Sequence, residues 1–167
     1  MRLTGLVAAA RLYERDTVAE DARDWVSGPG AAFLRLKPSE VNTLRRIVAG
    51  AGSKDEVADQ IKDHVTKRTK YKKGTSAWAR KVAGDETLLT SLLKALADAA
   101  NDACAERRSG SDWSAVRGEI PDKERAALDR DRHLRASLEF LDHLVRRHQA
   151  RIFLKEGDNP CPPQQAS

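Results

Sequence analysis

The residues best placed to do chemistry lie between Lys62 and Lys81, KDHVTKRTKYKKGTSAWARK. That stretch holds eight Lys/Arg against one acid, Asp63, while the whole chain is only +5. The remainder is therefore net acidic, and the positive charge is gathered in one place. Lys67, Arg68, Lys70, Lys72, Lys73, Arg80 and Lys81 are the candidate contacts, with Tyr71 and Trp78 interleaved. Clustered cations beside aromatic rings suit a surface that neutralises phosphates and stacks bases. The bland alternative is a solvated helix face. Against it, the apolar stripe Val57, Ile61, Val65 enters the stretch at helical spacing and then stops, the next positions being Arg68 and Lys72. A solvated face normally has a buried face behind it, so the segment is expected to project.

Other chemistry is hard to assemble. His133, His143 and His148 share one predicted helix, but at separations of ten and five, whereas zinc helices place two His at i and i+4 around a Glu. His148 falls on an apolar seam and is expected to be a core residue. His64 adjoins the basic stretch. Glu139 and Asp142 sit at i, i+3 with no second carboxylate cluster to converge on. There is no Gly-rich phosphate loop, no nucleophile elbow and no Cys–His signature. Cys104 lies among alanines and Cys161 in a Pro-rich tail; neither has metal-ligand spacing. No catalytic residue, metal or cofactor is expected.

The elements that must position the basic stretch are helical. A third of the 167 residues are charged and only one in twenty aromatic, and no run alternates apolar and polar for long. These features point to an all-α fold: a compact bundle of five to six helices, one domain over 1–155, and a disordered tail over 156–167. No apolar run reaches the length of a membrane span. Met1–Ala10 superficially resembles a signal peptide, but Arg11, Glu14, Arg15 and Asp16 follow at once, so it is read as a mature helix of a cytoplasmic protein.

In chain order, a first helix over Leu3–Val26 ends at Ser27-Gly28-Pro29-Gly30. Pro38 opens a second helix carrying Val41, Leu44, Ile47 and Val48 inward, with Arg45 and Arg46 on another face as further candidate contacts. Ser53 and Glu56 form a capping-box signature for the third. It is expected to break at Lys73–Ser76, and a short helix holding Trp78 and Val82 to follow, closed by Gly84. Asp85 is the expected N-cap of an apolar helix containing Leu88, Leu92 and Leu96. After a loop over Arg107–Ser114, with Trp113 as a lid, the last helix carries a seam of Leu134, Leu138, Leu141, Val145, His148 and Ile152. The charged turns Glu124–Arg135 are expected to be solvated.

With the elements in order, the chain resembles the small subunit of type III-A CRISPR effector complexes, over roughly residues 33–153. Leu36-Lys37-Pro38-Ser39-Glu40-Val41 stands where that family opens its second helix with a Leu-Thr-Thr-Ser-x-Leu-Arg-like phrase. Ala77-Trp78-Ala79-Arg80 is similar to an Ala-Tyr-Ala-like phrase that follows a basic helix. Leu141–His148 matches the rhythm of its last helix and ends on the same His. The chain departs from the pattern at Asn42, where an Arg is expected and Arg45 and Arg46 follow a turn later. It departs again at Arg146 and Arg147, which replace small and aromatic residues. The resemblance implies a non-catalytic RNA-binding protein in an antiviral ribonucleoprotein. It would stack with copies of itself and other subunits, holding guide and target RNA by the backbone while pairing reads the sequence. Two rivals come from other classes. A helix-turn-helix regulator would use the Ala49–Gly52 turn, but its recognition helix would open on Lys54, Asp55, Glu56 and Asp59, an acidic start. A helical adaptor would dock the basic stretch on an acidic protein.

Overall fold

The computed structural model describes residues 2–71, 77–104, 118 and 121–157, with side chains from Glu14 onward except those of Arg68, Thr69, Tyr71 and residues 155–157. The expected Trp113 lid, the 107–114 loop and the tail beyond residue 157 lie outside them, as do the side chains of Leu3, Leu6, Val7 and Ala10. Among the described residues the chain is all-α apart from one small hairpin. The helices are α1 (Arg2–Ser27), α2 (Pro38–Gly50), α3 (Lys54–Tyr71), α4 (Leu88–Ala103) and α5 (Asp122–Gly157). Short 3-10 turns occupy Ala31–Arg35 and Ala77–Ala79, and β1 (Lys81–Ala83) pairs with β2 (Glu86–Thr87). At 36 residues α5 is about 54 Å long and packs against each of the other four helices.

The caps explain where these helices begin. Pro38 takes the first turn of α2, where a missing N–H costs nothing, and the buried Glu40 carboxylate reaches back to the Lys37 N–H at 3.1 Å. At α3 the Ser53 hydroxyl accepts the Glu56 N–H at 3.1 Å, and the Glu56 carboxylate accepts the Gly52 N–H at 2.8 Å. Those two bonds form the reciprocal closure expected from the sequence, displaced by one residue.

The core is organised on aromatic contacts. Trp25 meets Phe33 edge-on at 5.9 Å and Phe140 at 6.2 Å. Phe33 in turn meets Trp78 at 6.3 Å and His148 at 6.1 Å. The Trp25 Nε1–H donates to the buried Ser91 hydroxyl at 3.0 Å, tying α1 to α4. Gly30 allows this packing, because a Cβ there would sit 2.3 Å from the Trp25 ring. The chain can turn against the indole only without a side chain.

Three expectations are corrected. The short helix around Trp78 and Val82 is a 3-10 turn followed by a β-hairpin, with Gly84 at φ +54° beside Asp85 in its two-residue loop. A positive φ suits a tight hairpin and ends no helix here. Asp85 accordingly does not cap α4. Thr87, extended at the end of β2, does so through its hydroxyl, which accepts the Thr90 N–H at 3.2 Å. Finally, the charged turns of α5 are not all solvated. Arg132 is buried and paired with the buried Glu14 of α1.

Candidate nucleic-acid interface

Val57, Ile61 and Val65 pin α3 to the core. Beyond Val65 the helix continues for another six residues with Thr66, Lys67 and Lys70 exposed. The apolar stripe therefore stops before the helix does, and the last turns of α3 carry cations into solvent.

Trp78 lies in the core, its indole fully buried against Phe33. That anchor fixes the start of the hairpin. The Arg80 carbonyl accepts the Leu88 N–H at 2.9 Å, closing the hairpin onto the first turn of α4. Arg80 and Lys81 emerge from it exposed. Between the end of α3, the 3-10 turn and the start of α4 lies an open groove of about 550 Å³. Among the described residues its walls are Val65, Trp78, Ala79 and Leu89, with Thr66, Thr87 and Lys70 as polar members.

The cations of this surface differ in how they are held. Lys67 pairs with Asp63 at 2.6 Å and Lys81 with Asp85 at 2.7 Å, each bridge well exposed. Lys62 lies 3.9 Å from Asp59. Lys70 and Arg80 are exposed and have no acidic partner among the described residues. The Arg68 side chain, Lys72 and Lys73 lie outside the described residues. Arg45 and Arg46 are exposed, but they precede the turn that starts α3, whereas Lys70 is in its last turn. Lys54 to Lys70 is about 24 Å of helix rise, and the two arginines lie on α2, before the turn that starts that helix. Lys67, Lys70, Arg80 and Lys81 are thus the described candidate contacts on the end of α3 and the hairpin, with Arg45 and Arg46 exposed on α2.

Several other titratable groups are engaged within the fold. His148 is buried, and its Nε2 lies 2.7 Å from the Leu36 carbonyl, so that nitrogen carries the proton and donates. His133 Nδ1 makes the same kind of bond to the Asp129 carbonyl one turn back, at 2.7 Å. Glu14 and Arg132, from residues 118 apart in the chain, meet at 2.5 Å. Their pairing leaves no signal in a sequence window. Around them burial pushes the Cys104 thiol up to about 11, above its ordinary 9.0, which leaves it protonated at neutral pH. Burial likewise raises the Glu139 carboxyl and lowers the His143 imidazole. Among the described residues no three His, Cys, Asp or Glu side chains are grouped to hold a metal ion, and no helix is long and apolar enough to cross a membrane. No protein-family model, no curated protein sequence and no solved structure matches the chain.

Proposed function

We propose that this chain is a non-catalytic RNA-binding protein that grips the phosphate backbone without reading sequence. The observation that carries it is the placement of the exposed cations Lys67, Lys70, Arg80 and Lys81 on the end of α3 and the hairpin that follows, beside an open groove. Phosphate contacts position a nucleic acid and carry no sequence information directly. The amide and carboxylate side chains that read base edges are sparse here, the exposed acids being engaged by lysines. A DNA-reading α3 is disfavoured, since its first turns expose Asp55, Glu56 and Asp59, which would repel a duplex.

The finer assignment is to the small subunit of a type III CRISPR effector complex, cytoplasmic and working beside other subunits and copies of itself. It is supported by the resemblance of Leu36–Val41, Ala77–Arg80 and Leu141–His148 to that family.

A salt titration of RNA binding tests the proposal. If four or five phosphates are neutralised, log K falls against log salt with a slope of about −3 to −4. A flat response, or a strong preference for one sequence over others of equal length, would overturn it.

A further inference from the structure

The groove beside Lys70 has a lining that phosphate binding does not call for. Val65 and Trp78 form its buried side, and Ala79 and Leu89 its more open side. Of the two hydroxyls among its described lining, Thr87's is already engaged by the Thr90 N–H at 3.2 Å. The walls are also fixed in place. Trp78 is locked against Phe33, the Arg80–Leu88 backbone bond holds the hairpin, and Thr87 caps α4. A preformed, mostly apolar groove with a cation on its rim fits a ligand that is flat and apolar at one end and anionic at the other.

We propose that this groove is a subsite for one unpaired nucleobase of single-stranded RNA, with Lys70 on the adjoining phosphate. The proposal rests on the RNA-binding function above and narrows its ligand. A volume of about 550 Å³ lies in the range of small-molecule sites, about 300–1,000 Å³. A duplex keeps its bases paired and stacked inward, so it cannot fill the groove; a single strand, or a nucleotide splayed from a bulge or end, can. Trp78 backs the groove from behind and is no stacking platform, since its indole is fully covered. Contact is with aliphatic walls, which hold any base about equally. Tolerance of sequence and preference for unpaired strands therefore arise from one feature.

The test uses the full chain and an unstructured oligoribonucleotide in three forms: intact, annealed to its complement, and carrying abasic positions. The intact strand is expected to bind about tenfold more tightly than either other form. In the Ala79→Phe variant a ring fills the groove from an exposed position. It should lose that advantage on the intact strand, bind the abasic strand as the unaltered protein does, and keep the same salt slope. Melting of the variant checks its fold, and the abasic strand on the unaltered protein gives the same answer without a mutation. If intact and abasic strands bind the unaltered protein alike with a normal salt slope, the subsite is wrong and backbone binding stands. Absence of any salt-dependent RNA binding would end both.

Discussion

Trp78 separates what holds the fold from what the proposed RNA contact would use. Its indole is fully buried and meets Phe33 edge-on at 6.3 Å, so Trp78→Ala opens a cavity and costs about 3–5 kcal/mol. For a chain of this length that is a fall in melting temperature on the order of 10 °C, which a thermal melt reads directly. An unchanged melt with weakened RNA binding would instead make the ring a stacking platform. The cations behave in the opposite way. Lys70→Ala and Arg80→Ala remove exposed charges with no acidic partner among the described residues, so each should leave the melt unchanged and make the salt slope shallower by about 0.7. Lys67→Ala and Lys81→Ala should change the slope less, because Asp63 and Asp85 already offset those charges in the free protein. The run of cations could be read from sequence by counting. Which of them are shared with a carboxylate could not, since Asp63 and Asp85 each lie one helical or hairpin turn away and pair only once that turn exists.

At the scale of elements, helix starts were legible where the signal is local: Pro38 in the first turn of α2, and Ser53 with Glu56 at α3. The hairpin was not, because Gly84-Asp85 has two meanings. Glycine then aspartate marks a helix end followed by an N-cap, and equally a tight β-turn. Only the extended backbone of Thr87 and the pairing of Lys81 with Thr87 decide between them. Similarly, the seam Leu134–Ile152 traced one line along α5, whereas the buried face is broader and includes Phe140 and Leu144; a core-facing helix buries a stripe of 100° or more. The clearest miss is the Glu14–Arg132 bridge, invisible to any local window and placed in turns read as solvated. Its energetics give a further prediction. Arg132→Ala leaves the buried Glu14 carboxylate without its partner guanidinium and should cost about 3–5 kcal/mol. The double change Glu14→Leu with Arg132→Leu removes both charges and should recover most of that loss, read as the midpoint of urea unfolding. A double variant as unstable as the single one would mean that the two helices depend on the ion pair for more than charge balance.

Across the whole molecule, α5 joins the parts: it packs on every other described helix, and its middle carries half-buried groups whose protons respond to folding. Glu139 and His143 sit one turn apart on it, and the charges acting on them come from α1 as well as α5. Burial is the main cause for both. It raises Glu139 against the pull of Arg15 and Arg135, with Glu14 and Asp142 adding to the rise. It lowers His143 with help from Arg146, Arg147 and Arg15, against Asp142. The signs then oppose each other. His143 is depressed in the folded chain, so its contribution is fully present above the ordinary 6.5 and is lost as pH falls from 6.5 through the folded value, because the unfolded chain takes the proton first. Glu139 is raised, so its contribution is present below the ordinary 4.5 and is lost as pH rises through the folded value. On acidification the protein should therefore lose stability just below 6.5 through His143 and regain part of it nearer 4.5 through Glu139. Melting temperatures of the RNA-free protein across that interval test the pair. His143→Gln should flatten the fall just below 6.5, and Glu139→Gln should deepen the loss on the acid side by removing the recovery. A His143→Gln protein that falls as steeply as the unaltered chain would show that the half-buried imidazole does not control this window, and would transfer the acid sensitivity to other groups of the fold.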